Sequence, residues 1–107
     1  MKTFEQFNNN PTLYLTLKKE WFDMIASGEK KEEYREIKDY WLNRLFKNGK
    51  PLEFKNICFK NGYSKNCPVM WCEFKGIDID YARPEWSGGW DGEVIVIKIG
   101  DVLSVKY

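Results

Sequence analysis

The chain has 107 residues, of which 43% are hydrophobic and 31% charged, a composition typical of one globular domain with a modest core. It contains no histidine, which excludes Ser-His-Asp and Cys-His catalytic sets and every zinc site built on imidazole ligands. The net charge of +1 provides no overall attraction to nucleic acid, but residues 18–65 carry 12 basic and 8 acidic side chains, which allows a local basic face.

The first half of the chain alternates strand and helix signals after a polar lead-in at residues 1–11. The predicted elements are a strand over Thr12–Leu17, a helix over Lys18–Ser27, a strand over Glu29–Ile37 and a helix over Asp39–Lys47. Leucines alternate with other residues in the first strand, and apolar residues recur at four-residue spacing in both helices. Gly28 and Asn48-Gly49 are residue types that end helices. The charged segment after Gly28 lacks a helical apolar stripe, which favours a strand.

The second half of the chain predicts β-strands separated by turns. The predicted strands cover Phe54–Phe59, Val69–Phe74, Val94–Ile99 and Asp101–Tyr107. Residues 62–66 predict a turn, and residues 86–92 predict a long Gly-rich loop. Val94–Ile97 carries apolar residues on both faces and is predicted to be a central, covered strand. The whole order predicts a single α+β domain, a small mixed β-barrel with two flanking helices.

The three cysteines are odd in number and have no CxxC spacing. Since there is also no signal peptide and no long apolar run, they indicate a cytoplasmic protein with reduced thiols and no membrane association. A zinc site made of cysteine alone ordinarily uses four ligands, so neither a metal nor a cofactor is predicted. Cys58 and Cys72 lie in apolar strand patterns and are expected in the core, whereas Cys67 is expected in an exposed turn.

The charged strand brings together the main candidates for ligand binding. Glu33 and Arg35 share one face of the predicted strand, and Lys30 follows the end of the first helix. Lysine offers a point charge to a phosphate, arginine offers a planar fork to a phosphate or a base edge, and Glu33 can accept from a base amino group. Lys18 and Lys19 would extend the positive rim. The alternative is a surface strand whose ion pairs contribute little.

Aromatic residues divide into two groups by their surroundings in the sequence. Those in periodic patterns are predicted to be core residues: Trp21, Phe22, Trp41, Phe46, Phe59 and Trp71. Tyr63, Trp86 and Trp90 lie in Gly-rich loops, where no core periodicity accounts for them. These three are the candidates for stacking on bases. A loop tryptophan folded back over a barrel mouth is the alternative for each of them.

Several motifs, in this order along the chain, resemble the ASCH domain (activating signal cointegrator homology), a member of the PUA-like superfamily. They are the Leu-x-Leu strand, the helix that ends in glycine, Gly28-x-Lys30-x-x-Glu33-x-Arg35, Gly62-Tyr63-Ser64-Lys65, and Ile99-Gly100-Asp101-Val102-Leu103. The resemblance covers about residues 12–105 and is to the smaller bacterial and phage members. It implies a β-barrel whose cleft, between barrel and helices, binds RNA or a nucleotide-like ligand. The full set of candidate binding residues is Lys18, Lys19, Lys30, Glu33, Arg35, Tyr63, Lys65, Trp86 and Trp90.

The resemblance also implies an alternative, catalytic function. One ASCH branch consists of small amidohydrolases that act on N4-acylcytidine nucleosides, with a lysine two residues after the glycine and a nucleophilic threonine three residues later. Here Lys30 matches the lysine, but Glu33 stands at the threonine position, which removes the hydroxyl nucleophile. A ribonuclease using Lys30 and Glu33 as acid and base is a second alternative. A protein-interaction module with exposed aromatic residues is a third.

Overall fold

A computed structural model describes residues 9–107, so most of the predicted lead-in lies outside the described residues. The strands are β1 (Thr12–Leu17), β2 (Glu32–Arg35), β3 (Phe46–Lys47), β4 (Lys50–Pro51), β5 (Asn56–Asn61), β6 (Val69–Tyr81) and β7 (Glu93–Lys106). The helices are α1 (Lys19–Ala26), α2 (Asp39–Leu45) and a short 3₁₀ turn at Pro84–Trp86. The predicted strand over Thr12–Leu17 is confirmed residue for residue, and both predicted helices are present.

Five of the strands form one curled sheet, a half-barrel with the order β1-β5-β6-β7-β2. β1 pairs with β5 in parallel, and the remaining neighbours in this sheet are antiparallel. The α+β class is therefore confirmed. β1 and β2 lie at the two edges of the curled sheet, and this position matters for the site described below.

The core lies on the concave side of the sheet and is closed by α1. Phe22 and Ile25 of α1 are fully buried, as are Ile95 and Ile97 of β7. The residues Val94–Ile97 are buried on both faces, which confirms the predicted central, covered strand. Burial of such large apolar side chains is the main favourable contribution to folding in a domain of this size.

Three elements in the first half are shorter than predicted. The first helix covers Lys19–Ala26 instead of Lys18–Ser27, because Lys18 and Ser27 are its cap residues. The second helix ends at Leu45 instead of Lys47, because Phe46–Lys47 pairs with Lys50–Pro51 in a hairpin around Asn48-Gly49. The charged strand covers only Glu32–Arg35 instead of Glu29–Ile37. The preceding residues complete the end of α1, where the Lys30 backbone N–H donates to the Met24 carbonyl at 3.0 Å. Lys30 therefore belongs to the helix end, whereas Lys31 already contacts the sheet, because its carbonyl accepts from the Ile99 N–H of β7 at 3.0 Å.

The β6–β7 pair is longer than predicted. β6 continues to Tyr81, and one unbroken β7 replaces the two predicted strands on either side of Gly100. Register shifts between Trp71 and Gly76 mark β-bulges that bend the pair. A Cβ atom added at Gly100 would lie 2.8 Å from the Glu73 Cβ. Gly100 is therefore a point of close side-chain approach inside a strand rather than a strand end.

The remaining predicted elements agree with the structure in outline. β5 is shifted by two residues from the predicted strand and covers Asn56–Asn61. Cys58 and Cys72 are buried as expected, whereas Cys67 is half-buried rather than exposed. Burial raises the pKa of Cys72 to about 12. Across residues 9–107, no helix has the length and apolar character needed to cross a membrane.

We expect the buried centre of β7 to dominate stability. Replacing Ile97, which is 0% exposed, by alanine should lower the free energy of unfolding by about 2–5 kcal/mol, because the lost packing leaves a cavity. Ile79 in β6 is 40% exposed, and Ile79→Ala should cost less than about 1 kcal/mol. Urea unfolding followed by tryptophan fluorescence measures both. Equal losses would contradict the position assigned to the core.

Candidate functional site

A cleft of about 520 Å³ lies where the two edges of the half-barrel approach each other. We call it the aromatic cleft, because seven of its lining residues carry aromatic rings. These rings belong to Tyr14, Trp21, Tyr34, Tyr40, Trp41, Tyr63 and Trp86. The remaining lining residues are Leu15, Thr16, Leu17, Lys18, Glu33, Arg35 and Ser87. The cleft thus combines flat apolar surfaces with a few charged groups, which is the usual composition of a small-molecule site.

Local sequence explains why charged residues occupy this position. Gly28 ends α1, and the chain then turns directly into β2. Residues two apart on a strand point to the same side, so Glu33 and Arg35 both face the cleft. Lys30 precedes the strand, and its side chain reaches the Glu33 carboxylate from beneath the cleft. The Gly28-x-Lys30-x-x-Glu33-x-Arg35 spacing therefore converts a helix end and a short strand into one cluster of charges.

The three charged residues form a continuous network, in which Lys30 and Glu33 are buried and Arg35 is partly buried. Lys30 Nζ lies 2.6 Å from Glu33 Oε1 and also donates to the Glu32 carbonyl at 2.6 Å. The other carboxylate oxygen, Glu33 Oε2, accepts a hydrogen bond from Arg35 Nη1. Lys30 is 1% exposed and Glu33 5% exposed. Such burial is tolerated only because each charge has an opposite partner and hydrogen bonds.

Lys30 lies between two aromatic rings below the cleft. Its ammonium is 5.4 Å from the ring centroid of Trp21 and 5.3 Å from that of Tyr34, within the range of cation–π attraction. Burial lowers the pKa of Lys30, and the Glu33 carboxylate opposes this shift. Burial likewise raises the pKa of the Tyr34 hydroxyl, which donates to Glu32 at 2.7 Å. Both side chains are thus held by contacts within the protein, with Tyr34 in the lining of the cleft and Lys30 beneath it.

Arg35 joins the two edges of the sheet. From β2 it donates through Nη2 to the Thr16 carbonyl of β1 at 3.3 Å, and through Nη1 to the Tyr34 carbonyl at 2.8 Å. Its guanidinium also lies 5.0 Å from the Trp41 ring centroid. Both Nη1 hydrogens are engaged, one by Glu33 and one by Tyr34. Arg35 therefore ties the two edges across the open seam, and two of its five N–H donors, the Nε–H and one Nη2 hydrogen, keep no acceptor among the described residues.

The predicted basic residues are placed differently from one another. Glu33 and Arg35 line the aromatic cleft, but Lys30 lies beneath it and is not among the lining residues. Lys18 is exposed on the rim of the cleft. Lys19 points along α1 and pairs with Asp23 at 2.5 Å. The structure therefore brings Lys30, Glu33 and Arg35 together, adds Lys18 at the rim, and leaves Lys19 outside.

The loop candidates also divide into two groups. Tyr63 and Trp86 line the cleft, with Tyr63 93% exposed and Trp86 half-buried. The guanidinium of Arg83 lies 5.3 Å from the Trp86 ring centroid. Lys65 and Trp90 are exposed and are not among the lining residues. Sequence position in a Gly-rich loop therefore predicts exposure better than it predicts a place in the cleft.

Several lining residues were not predicted as site residues. Trp21 and Trp41 were expected in the core, and both are half-buried with one part of the ring facing the cleft. Helical spacing in the sequence predicts that such a ring packs against the core. It does not predict whether another part of the same ring lines a cleft. Tyr14 and Tyr34 lie in predicted strands, and their aromatic rings are the signal that could have marked them. Tyr40 is the second residue of α2 and is exposed beside Trp41, which it contacts edge to face.

The loop after the 3₁₀ turn packs against the cleft wall. Gly88 lies so close to Trp21 that an added Cβ would be 3.2 Å from the ring atom Cζ2. Ser87 is fixed within the loop, because its hydroxyl donates to the Pro84 carbonyl at 3.2 Å and accepts from the Gly89 N–H at 3.2 Å. The contact between Gly88 and Trp21 places the Trp21 ring between the loop and the buried Lys30 ammonium.

Within residues 9–107, no group of three or more Cys, Asp or Glu side chains is placed to hold a metal ion. Comparison of the chain with protein-family models, with curated proteins and with solved structures found no match. Membership of the ASCH family therefore stays a prediction.

We expect a mutation in the buried network to lower the free energy of unfolding far more than a mutation in an exposed ion pair with a similar N–O distance. Glu33→Leu leaves the Lys30 ammonium buried without its partner, which should lower the free energy of unfolding by about 3–5 kcal/mol. The double variant Lys30→Met with Glu33→Leu should recover part of this loss. Lys19→Met, which breaks the exposed pair with Asp23, is the matched control and should cause no measurable change. Urea unfolding compares the four proteins; a Glu33→Leu loss no larger than that of the control would contradict the network.

Proposed function

We propose that this protein binds single-stranded RNA or a nucleotide-like ligand in the aromatic cleft, as a PUA-like protein of the ASCH family. The observation that carries the proposal is the Glu33–Arg35 pair on the floor of a cleft lined by aromatic rings. Flat rings bind bases by stacking, and a carboxylate beside a guanidinium binds the polar edge of a base. The three unpaired cysteines support the proposal that the protein is cytoplasmic.

The charge of the site supports a neutral or anionic ligand. Lys30 and Arg35 together carry two positive charges against the single carboxylate of Glu33, so the network has a net positive charge. Lys18 adds an exposed cation at the rim. A cleft of aromatic rings around a carboxylate can also bind ammonium groups, but the excess positive charge here opposes a cationic ligand. A nucleotide, with a flat base and an anionic phosphate, fits this distribution.

The dimensions of the cleft fit one or a few bases. Its volume of about 520 Å³ lies within the range of about 300–1,000 Å³ for small-molecule sites. Stacking on an aromatic side chain is worth about 1–3 kcal/mol per base. Trp86 and Tyr63 both line the cleft, and Tyr63 is 93% exposed, so its ring is accessible to a further base of a strand that leaves the cleft. Lys18 is placed to meet a phosphate at the same rim.

The contacts of Lys30 support binding rather than acyl-group hydrolysis. Its two hydrogen bonds go to Glu33 and to the Glu32 carbonyl, and neither partner is a hydroxyl that a lysine base would activate. The Ser87 hydroxyl at the cleft is engaged within its own loop. The amidohydrolase branch that the sequence resembles uses a threonine nucleophile at the position of Glu33, so nucleophilic catalysis by that route is not supported. Hydrolysis is therefore the second candidate, retained because a buried lysine with a lowered pKa is also a feature of catalytic sites.

The binding test uses two matched pairs of variants. Trp86 lines the cleft and Trp90 does not. Lys18 lies on the rim of the cleft, whereas Lys19 lies outside the cleft and pairs with Asp23. With a fluorescent single-stranded RNA of mixed sequence, Trp86→Ala should weaken binding about 5- to 150-fold, because one stacking contact is lost. Lys18→Ala should weaken binding and reduce its salt dependence, because one phosphate contact is lost.

Fluorescence anisotropy at several salt concentrations measures these effects, and Trp90→Ala and Lys19→Ala should bind like the unaltered protein. Absence of binding by the unaltered protein to both this RNA and single nucleotides would overturn the proposed function. Equal binding by Trp86→Ala and Trp90→Ala would overturn the placement of RNA in the aromatic cleft.

A further inference from the structure

We propose that the hydroxyl of Tyr34 is a positioning group, which holds Trp86 in place for stacking by anchoring the loop over residues 82–92 that carries it. This inference rests on the proposed function, because it assigns the role to a residue of the same aromatic cleft. Tyr34 acts through the backbone of the loop, without a hydrogen bond of its own to the ligand. This role is separate from that of its ring, which lies beside the Lys30 ammonium.

Tyr34 is a fixed point for the loop because it belongs to the sheet. In β2 it pairs with Val96 of β7, which is 2% exposed. Its ring centroid lies 5.3 Å from Lys30 Nζ. The hydroxyl donates to Glu32 Oε1 at 2.7 Å, so its single hydrogen is engaged within the same strand. The phenol is therefore held at the backbone, at the ring and at the hydroxyl.

The oxygen of this hydroxyl holds the start of the loop. The Arg83 backbone N–H donates to Tyr34 Oη at 3.0 Å. Burial raises the pKa of Tyr34, so the hydroxyl keeps its proton for Glu32 while its oxygen accepts from Arg83. The two hydrogen bonds therefore form one chain, from the loop backbone through Tyr34 to the side chain of Glu32.

The 3₁₀ turn passes the position of Arg83 on to Trp86. The Trp86 N–H donates to the Arg83 carbonyl at 2.9 Å, and the Arg83 guanidinium lies 5.3 Å from the Trp86 ring centroid. Pro84 stands between them, and its ring restricts the backbone φ to about −65°. Little freedom therefore remains between the N–H that Tyr34 holds and the indole that lines the cleft.

A second contact anchors the loop on the far side of Trp86, where Gly88 packs against the Trp21 ring. The anchors at Arg83 and Gly88 thus bracket Trp86 in the sequence. Connecting loops are in general more mobile than the elements they join. Holding Trp86 in place before the ligand arrives raises affinity, because less ordering of the loop is then required on binding. Loss of the Tyr34 anchor should therefore reduce the contribution of Trp86 in particular.

The test removes the same hydrogen bond from either side. Tyr34→Phe loses the hydroxyl and retains the ring beside Lys30. Arg83→Pro loses the N–H, at a position whose φ of −69° suits proline. Arg83→Ala keeps the N–H and loses the side chain, so it is the matched control for Arg83→Pro. Urea unfolding establishes that each variant folds before its binding is measured.

Binding to the fluorescent single-stranded RNA is then measured as a double-mutant cycle. Tyr34→Phe should weaken binding about 2- to 10-fold, as expected for the loss of one neutral hydrogen bond. Arg83→Pro should bind more weakly than Arg83→Ala by a similar factor. Tyr34→Phe combined with Trp86→Ala should bind as Trp86→Ala alone does, because the anchor acts only through Trp86.

The cycle separates this inference from the proposed function. Losses that multiply when Tyr34→Phe and Trp86→Ala are combined would show that Tyr34 acts independently of Trp86, and would overturn the inference alone. Equal binding by Arg83→Pro and Arg83→Ala, or by Tyr34→Phe and the unaltered protein, would also overturn it. Failure of the unaltered protein to bind both the RNA and single nucleotides would overturn the proposed function together with the inference.

Discussion

The structure depends on one constraint: a lysine and a carboxylate are buried together beside a partly buried arginine, and the buried charges must be satisfied from within the protein. Removing an ion from water costs several kcal/mol, and that cost is offset only by close opposite charge and complete hydrogen bonding. Glu33 meets this requirement by bridging Lys30 and Arg35 through its two oxygens. Every buried side-chain nitrogen and oxygen among the described residues has a hydrogen-bond partner, which is consistent with the requirement. The helix end, the short strand β2 and the seam of the sheet are all arranged around this network.

The network also connects the fold to the site. An open curled sheet has two unpaired edges, and such edges are normally covered or paired. Arg35 links β2 to the Thr16 carbonyl of β1, and the aromatic residues around this link leave a cleft instead of filling the seam. The same interaction that ties the edges therefore places a charged pair at the bottom of an aromatic-lined space. The charged pair that stabilises the fold is therefore also the pair that we propose to contact the ligand.

The sequence predicted much of the fold because its signals were local. The alternation of Leu13, Leu15 and Leu17 marks β1, and Gly28 marks the end of α1. The sequence spacing also predicted that Lys30, Glu33 and Arg35 would lie close together. Their burial is not predictable from the sequence, because it depends on side chains of other elements, Trp21 of α1 against Lys30 and Trp41 of α2 against Arg35. The bulges that carry β6 and β7 past Gly76 and Gly100 depend on pairing between distant segments, which no local pattern contains.

The central claim is that a nucleotide stacks in the aromatic cleft above Glu33 and Arg35. The most direct measurement uses the five tryptophan side chains as reporters, because their indole N–H signals are few enough to be assigned individually by NMR. On titration with a short adenine oligoribonucleotide, the account predicts contacts from base protons to Trp21, Trp41 and Trp86, with the Trp71 and Trp90 signals unchanged. Contacts confined to Trp71 or Trp90, or no contact with any tryptophan, would contradict it.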